Sequence, residues 1–309
     1  MGIKRRDFLQ KSAAGLGGVL LGSELAAADT DADTFDHAER VPLGDTGVKV
    51  SRLGFGTGLH GWEQESDQTR LGRKEFQSLL RFAHRNGIRF FDAADLYGSH
   101  PYIDRALADV PRESYTVVSK IWWRDGGLPT DKRPGAEKTV KRFLRELETD
   151  YLDMVQLHCV SDPGWPTKLS DRMQGLDRLK EQRLVRAHGV SCHSVKALRT
   201  AAEEGWADCV HARINPFGVK MSGGPTDVIP VLRKLHDRGA GVIGMKICGE
   251  GKFSDDSGKL QRSVRLAMSL DCVDAIIVGF LDRGEMKDMA DRVARVPRDT
   301  SPHNVIATG

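Results

Sequence analysis

The feature that most constrains the fold of this chain is a unit of strand, loop and helix that repeats every 22 to 38 residues. Each interval is long enough for one helix to connect two parallel strands. Eight units predict an α/β fold, a single-domain (β/α)8 TIM barrel over residues 40–296. A doubly wound open sheet is the alternative, but no G-x-G-x-x-G motif follows an early strand. The apolar runs that predict strands end at Thr57, Asp92, Lys120, His158, Ser191, Arg213, Lys246 and Gly279.

Apolar residues recur with helical spacing between these strands. Ahead of the first barrel strand, Val41 to Val50 read as a β-hairpin turned at Asp45-Thr46-Gly47, which would close the bottom of the barrel. A short tail, 297–309, follows the last unit. The predicted helices are Arg73–Asn86, Ala136–Glu148, Asp171–Gln182, Val195–Glu204, Thr226–Arg238 and Gly284–Val293.

The first 28 residues carry an export pattern. Lys4-Arg5-Arg6-Asp7-Phe8-Leu9 is a twin-arginine sequence, a mildly apolar stretch follows, and Ala26-Ala27-Ala28 offers a cleavage site. We therefore expect the twin-arginine translocation machinery to export the folded chain to the periplasm, and a disordered basic tail is the alternative. The apolar stretch is shorter than the roughly 20 residues that span a bilayer, so an integral membrane protein is not expected. Residues 29–39 are acidic and predict a flexible linker.

Charge and cysteine content narrow the function. The formal net charge is +3 and the basic residues alternate with acidic ones, so a nucleic-acid partner is not indicated. The five cysteines form no C-x-x-C pair and are odd in number. A chain that folds before export meets a reducing cytoplasm first, so free thiols are expected.

Four reactive side chains stand at or just beyond predicted strand ends: Asp92, Tyr97, Lys120 and His158. The carboxyl ends of parallel barrel strands meet at one rim, so the four are expected to lie together. An acid, a phenol, an amine and an imidazole in one place are the groups that proton transfer requires.

This constellation resembles the aldo-keto reductase family from about Val41 to Val293, through the runs Asp92-Ala93-Ala94-Asp95-Leu96-Tyr97-Gly98 and Gln156-Leu157-His158 and through Lys120. The resemblance implies NAD(P)-dependent interconversion of aldehydes or ketones and alcohols, with Tyr97 as acid in reduction and base in oxidation. Lys120 would lower the pKa of Tyr97 by its positive charge, Asp92 would hold Lys120, and His158 would orient the carbonyl.

The resemblance also implies a cofactor cleft. Cys192 stands where the family has an asparagine for the nicotinamide carboxamide, and Met245 where it commonly has a stacking aromatic. The family norm is NADP, but Arg283 is the only basic residue of a loop that also holds Asp282 and Glu285, so NAD stays open. The cofactor-binding residues implied by the resemblance are Gly56, Thr57, Asp92, Ser191, His211, Lys246, Gly249, Phe280 and Leu281.

Trp62 and Trp122 are expected to wall the pocket for a small-molecule carbonyl or alcohol substrate. No metal is expected, because the histidines and cysteines near the strand ends lack paired ligand spacing. Two other functions remain open. One is a redox-sensing or regulatory barrel that binds the cofactor without turnover. The other is a barrel aldolase with Lys120 or Lys246 as a Schiff-base amine.

Overall fold

The computed structural model describes residues 33–307. The predicted signal peptide (1–28) and residues 29–32 of the predicted linker lie outside the described residues. Eight parallel strands form a closed barrel in which each strand pairs with the next along the chain and the last pairs with the first. This confirms the (β/α)8 prediction. The barrel strands are β3 (Leu53–Gly56), β4 (Phe90–Asp92), β5 (Thr116–Ile121), β6 (Leu152–Val160), β7 (Val185–Cys192), β8 (Cys209–Arg213), β9 (Gly241–Met245) and β10 (Ala275–Gly279).

A two-stranded antiparallel hairpin precedes the barrel, as the sequence predicts. Its strands are β1 (Arg40–Pro42) and β2 (Lys49–Ser51), and Val41 pairs with Val50. Leu43 and Val48 join a buried cluster with inward-facing residues of the barrel strands, among them Phe90. The hairpin therefore seals the amino-terminal end of the barrel, opposite the rim where the strands end.

Helices cover the outside of the barrel. In α2 the buried residues Phe76, Leu79, Leu80 and Ala83 have the spacing of one helical face, which packs on the sheet. The helices are α1 (Asp67–Arg70), α2 (Arg73–Arg85), α3 (His100–Leu107), α4 (Ala136–Glu146), α5 (Trp165–Lys168), α6 (Ser170–Glu181), α7 (Val195–Glu204), α8 (Pro225–His236), α9 (Ser257–Ser269), α10 (Arg283–Ala294) and α11 (Pro302–Ala307).

The sequence did not predict α3 and α9, which follow β4 and β9. Helix α3 has only eight residues, too few for a repeated apolar pattern, and Pro101 stands in its first turn, where a proline is tolerated. Helix α9 begins at the N-cap Asp256, whose carboxylate accepts a hydrogen bond from Lys259 N at 2.9 Å. Its first turn is polar and contains Gly258, so the apolar pattern starts late.

Residues 33–39, predicted as part of a flexible linker, pack on the barrel. Phe35 is 9% exposed within the core cluster, and its N–H donates to Val296 O at 3.1 Å. The guanidinium groups of Arg52 and Arg298 lie 5.0 and 4.9 Å from the centre of its ring. Within the described range, no helix is long and apolar enough to cross a bilayer.

Candidate active site

The four side chains singled out in the sequence lie together at the carboxyl-end rim. Asp92 is the last residue of β4, Lys120 lies one residue before the end of β5, and His158 lies near the end of β6. Tyr97 ends a short 3₁₀ turn, Asp95–Tyr97, that follows β4. Asp92, Tyr97 and Lys120 line one open cleft of about 150 Å³.

A buried ion pair forms the floor of this site. Lys120 Nζ donates to Asp92 Oδ1 at 2.5 Å and to Ala93 O at 2.9 Å, and both charged side chains are at most 5% exposed. Burial opposes the charge on each partner, but the positive charge of Lys120 holds the pKa of Asp92 below its usual value. Burial lowers the pKa of Lys120, and the negative charge of Asp92 only partly offsets this effect.

The reactive phenol contacts an imidazole. Tyr97 Oη lies 3.2 Å from His158 Nε2, and the two rings meet edge to face. Burial, followed by the charge of Lys120, lowers the pKa of His158 well below its usual value, so the ring is neutral at pH 7. His158 Nδ1 is buried and has no hydrogen-bond partner. The single ring proton is therefore best placed on Nε2, where an oxygen can accept it.

The pKa of Tyr97 shifts in the direction opposite to the one expected from Lys120. Burial raises the pKa of Tyr97 well above its usual value, and the negative charge of Asp92 adds to the shift. Lys120 gives its hydrogen bonds to Asp92 and Ala93, and its ammonium lies 5.3 Å from the centre of the Tyr97 ring. The carboxylate thus offsets the ammonium charge at the phenol.

Two glycines that were not predicted from the sequence lie directly against the Tyr97 ring. A Cβ atom on Gly58 would lie 2.3 Å from Tyr97 Cε2, and one on Gly61 would lie 2.3 Å from Cδ1. These distances are far below carbon–carbon contact, so only glycine fits at either position. The available signal was the Gly-x-x-Gly spacing just after the first barrel strand.

The residues expected to bind a cofactor divide into two groups. Gly56, Asp92, Ser191 and Lys246 line the cleft, together with Met245, Gly251 and Gly279. The side chains that do not line it are those of Thr57, His211, Phe280 and Leu281, and Gly249 also lies outside the lining.

Three residues of the second group have other partners. Thr57 Oγ1 donates to Asp92 O at 2.9 Å and lies 2.7 Å from Ser99 Oγ. The Phe280 ring packs in the core at 5.4 Å from the ring of Phe55. His211 is fully buried with Nε2 3.1 Å from Asp92 Oδ1, but outside hydrogen-bond geometry. His211 therefore faces the ion pair from inside the barrel rather than the open cleft.

Lys246 lines the cleft and is linked through Glu250 to a second lysine, Lys220. Its Nζ donates to Glu250 Oε1 at 2.8 Å, and the second oxygen of Glu250 pairs with Lys220 of the loop after β8. Burial raises the pKa of Glu250, but hydrogen bonds from Lys220 and Lys246 outweigh it and lower that pKa to about 2. Lys246 and Glu250 both have left-handed backbone, with φ of 64° and 58°. This positive end of the cleft is therefore partly neutralised by a carboxylate that sequence reasoning did not pair with it.

Aromatic side chains form the wall beside His158. Trp122 lies 5.6 Å from Trp62 and 5.6 Å from His158, measured between ring centres, with edge-to-face geometry in both pairs. Trp122 is 4% exposed and packs with Leu96 and Tyr97, while Trp62 is 45% exposed. Trp122 thus lies beside His158, and Trp62 contacts Trp122, but neither tryptophan lines the cleft that holds Tyr97, so their role as a substrate-pocket wall stays a prediction.

All five cysteines are free thiols. Among residues 33–307, no three histidine, cysteine or acidic side chains form a group that could hold a metal ion. His193 is one of the histidines near the strand ends that received no role from the sequence, and the structure places it in the lining of the cleft.

The fold is an eight-stranded parallel barrel, and its carboxyl-end rim holds a phenol, an imidazole and an ammonium–carboxylate pair. These features define a class of (β/α)8 proteins whose reactive groups lie at that rim. The chain belongs to the aldo/keto reductase family, whose sequence profile matches residues 52–278. Members of this family are generally NAD(P)-dependent carbonyl reductases.

Individual relatives are more distant. The chain is 28% identical over 215 residues to the NADH-specific methylglyoxal reductase of Escherichia coli, covering 63% of this chain and 64% of that protein. It is 29% identical over 210 residues to L-galactose dehydrogenase of Arabidopsis thaliana, covering 65% and 62%. The matched region thus spans less than two thirds of the length of these curated relatives.

Solved structures share the architecture. A protein of Pseudomonas aeruginosa, described as an aldo-keto reductase, is 26% identical with a TM-score of 0.68, covering 85% of this chain and 96% of that one. The holo form of an aldo-keto reductase of Bacillus halodurans has the same TM-score at 17% identity, covering 87% and 95%. The second likeness bears on the fold alone.

Proposed function

We propose that this protein reduces aldehydes or ketones to alcohols, and catalyses the reverse oxidation, with a nicotinamide dinucleotide as hydride carrier. The observation that carries the proposal is the contact of Tyr97 Oη with His158 Nε2, 3.2 Å apart, beside the Lys120–Asp92 pair. When bound, the dinucleotide supplies a hydride to the carbonyl carbon in reduction and accepts one from the alcohol carbon in oxidation. The protein has to supply the proton and position the oxygen.

The raised pKa of Tyr97 bears on the order of proton and hydride transfer. Burial makes this phenol a weaker acid than a free phenol toward a neutral carbonyl oxygen. An alkoxide is more basic than a phenolate, so the proton transfers as negative charge develops on the substrate oxygen. His158, neutral and with its proton on Nε2, donates a hydrogen bond to the same oxygen and stabilises that charge.

The residues of the cleft fit a dinucleotide. Ser191 offers a hydroxyl group and Met245 an apolar side chain, and both line the cleft together with Tyr97. Lys246 supplies a cation next to the turn at Gly251. Loops after the seventh and eighth strands of a (β/α)8 barrel frequently bind phosphate groups. Lys246 and Gly251 lie in the loop after the seventh barrel strand, β9.

We propose NAD(H), rather than the NADP(H) of the family norm, as the preferred cofactor. Asp282 and Glu285 bring two carboxylates to the start of α10, where they accept hydrogen bonds from Glu285 N at 2.9 Å and Leu281 N at 2.7 Å. Arg283 is directed to helix α2, donating to Ser78 Oγ at 2.8 Å. Carboxylates suit ribose hydroxyl groups and repel a 2′-phosphate, which a nearby arginine commonly accommodates. The NADH-specific relative from Escherichia coli supports this choice.

Fluorescence titration with NADH and NADPH tests the cofactor proposal. We expect the wild-type protein to bind NADH more tightly than NADPH. The double variant Asp282→Asn, Glu285→Gln should reduce this difference in affinity, because it weakens the repulsion of the 2′-phosphate of NADPH. A wild-type protein that binds NADPH more tightly would refute it.

Oxidation of NADH by methylglyoxal, followed at 340 nm, tests the reaction. We expect Tyr97→Phe to lower kcat by about 10²- to 10⁴-fold, the usual contribution of a positioned general acid, and to leave NADH affinity unchanged. Equal activity of wild type and variant would refute the role of Tyr97. Tight NADH binding without turnover of any carbonyl compound would instead favour a regulatory barrel.

We further propose that the chain is exported by the twin-arginine route. The supporting feature is Lys4-Arg5-Arg6-Asp7-Phe8-Leu9, followed by an apolar stretch and three alanines. Because this route carries folded proteins, the cofactor would be loaded in the cytoplasm and carried out bound. Changing Arg5 and Arg6 to lysine should retain the protein in the cytoplasm of fractionated cells. Unchanged distribution would refute the proposal, and the nucleotide released from exported protein can be identified by mass spectrometry.

A further inference from the structure

His193 has no role in the proposed proton transfer or in the proposed binding of the cofactor. It lines the same cleft as Tyr97 and Lys120, and its ring centre lies 6.3 Å from that of His158. A small substrate whose carbonyl oxygen lies between Tyr97 and His158 therefore has its neighbouring atoms within reach of His193.

Arg213 determines the protonation state of His193. Arg213 Nη2 lies 2.7 Å from His193 Nδ1, and a guanidinium group can only donate. Nδ1 must therefore be the acceptor, which leaves the ring neutral with its proton on Nε2. Burial and the charge of Arg213 both lower the pKa of His193 well below its usual value, in agreement with this geometry.

The resulting N–H group is a donor without a strong acceptor. His193 Nε2 lies 3.6 Å from Cys159 Sγ, and a thiol sulfur is a weak acceptor. A guanidinium that donates to Nδ1 polarises the imidazole and strengthens the Nε2–H donor. This donor is available to an oxygen atom in the cleft.

Arg213 itself carries a charge that lacks a carboxylate partner. Its Nη1 donates to Lys220 O at 2.7 Å, and its buried Nε has no hydrogen-bond partner. In the described part of the chain, no acidic group forms an ion pair with it, and Glu250 is engaged by Lys220 and Lys246. A half-buried guanidinium without a counter-ion is costly, and an anion that binds nearby would lower that cost.

From these contacts we infer that His193 and Arg213 form a recognition site for an anionic oxygen group of the substrate, a carboxylate or phosphate placed a few bonds from the reacting carbonyl. His193 donates directly to the anion, and Arg213 acts through His193 as a positioning residue and as the source of positive charge. The inference rests on the proposed carbonyl reduction and adds a substrate class to it: short oxo-acids or aldehyde phosphates.

Matched pairs of substrates test this site. We expect kcat/KM to be at least about 10-fold higher for succinic semialdehyde than for butanal, mainly through KM, as a charge-assisted hydrogen bond would give. The second pair, D-glyceraldehyde 3-phosphate and D-glyceraldehyde, tests a phosphate group. For each pair the measured quantity is the ratio of kcat/KM for the charged substrate to kcat/KM for the neutral one, and the pair with the larger ratio identifies the preferred anion. A wild-type enzyme that prefers the neutral partner in both pairs would overturn the inference.

Variants locate the effect. His193→Phe keeps a ring without the N–H group, and Arg213→Gln removes the charge. Each should bring the preferred ratio close to one by lowering kcat/KM for the charged substrate more than for butanal. Arg124→Gln is the matched control, since this exposed arginine on the same rim stacks 6.0 Å from the Trp123 ring centre and should leave the ratio unchanged. If Arg213→Gln does not fold, His193→Phe decides. Equal losses for charged and neutral substrates would assign the pair a structural role and overturn the inference.

A binding measurement separates this inference from the proposed reaction. Tryptophan fluorescence titrated with succinate and succinamide reports anion binding without turnover. We expect succinate to bind at least about 10-fold more tightly, and the preference to disappear in His193→Phe. Succinate selectivity without carbonyl reduction would refute the function and keep the site. Reduction without anion selectivity in either assay would refute the site and keep the function.

Discussion

The close fit between Gly58 and the ring of Tyr97 makes Gly58→Ala the sharpest test of the site geometry. The added Cβ atom would lie 2.3 Å from Cε2, 2.4 Å from Cζ and 2.5 Å from Cδ2 of the ring. Carbon atoms in contact stay about 3.5 Å apart or more, so the ring or the glycine loop has to move by about 1.2 Å.

This movement is larger than the change in distance that the Tyr97–His158 hydrogen bond can accommodate. Tyr97 Oη lies 3.2 Å from His158 Nε2, and at about 3.6 Å a hydrogen bond no longer exists. A movement of about 1.2 Å therefore misplaces the hydroxyl group. A misplacement of about 1 Å costs on the order of 100-fold in rate, which corresponds to about 2.7 kcal/mol of the activation barrier.

The assay is turnover of methylglyoxal with NADH, together with thermal unfolding and NADH titration. We expect kcat of Gly58→Ala to fall about 100-fold, with a destabilisation of about 1–3 kcal/mol from overpacking and little change in NADH affinity. Gly61→Ala should behave alike, because its Cβ would press the other edge of the ring. Gly258→Ala is the control, since its Cβ would make an ordinary 3.5 Å contact with Asp256. A kcat of Gly58→Ala within threefold of wild type would refute the reasoning.

Three further predictions follow from buried or shifted groups. Asp92→Leu leaves the Lys120 ammonium buried and unpaired, and should cost about 3–5 kcal/mol in urea unfolding, most of it recovered when Lys120→Met is added; an Asp92→Leu variant as stable as wild type would contradict this. The folded pKa of Glu250, about 2, lies below its ordinary 4.5, so its ion pairs stabilise the fold above pH 4.5 and lose that effect as the pH falls through 2. The Tm difference between wild type and Glu250→Gln should therefore be constant from pH 5 to 8 and shrink below 4.5, whereas a difference independent of pH would speak against the shift. Burial raises the pKa of the Cys159 thiol to about 11, so its alkylation by iodoacetamide, mapped by mass spectrometry, should be slow at pH 7.5 and accelerate toward pH 11; rapid labelling at pH 7.5 would disprove it.

Much of the fold could be predicted from local pattern. The eight strand ends expected from apolar runs coincide with the observed ends within about two residues, for example Asp92 in β4, Arg213 in β8 and Gly279 in β10. Where a helix was short or began with a polar turn, as in α3 and α9, the apolar pattern was too weak to detect it. Phe35 looked like part of a linker because its partners, Val296 and Arg298, lie some 260 residues away along the chain.

The sequence by itself determined the barrel and the gathering of Asp92, Tyr97, Lys120 and His158, because a parallel barrel brings its strand ends to one rim whatever the details of its helices. Only the tertiary structure decided how these groups act on one another. The ammonium of Lys120 donates to Asp92 and Ala93, the pKa of Tyr97 rises, and Arg213 fixes the proton of His193. The physical reason is that hydrogen-bond direction and desolvation change within fractions of an ångström, and such distances are set by packing between residues that the sequence keeps far apart.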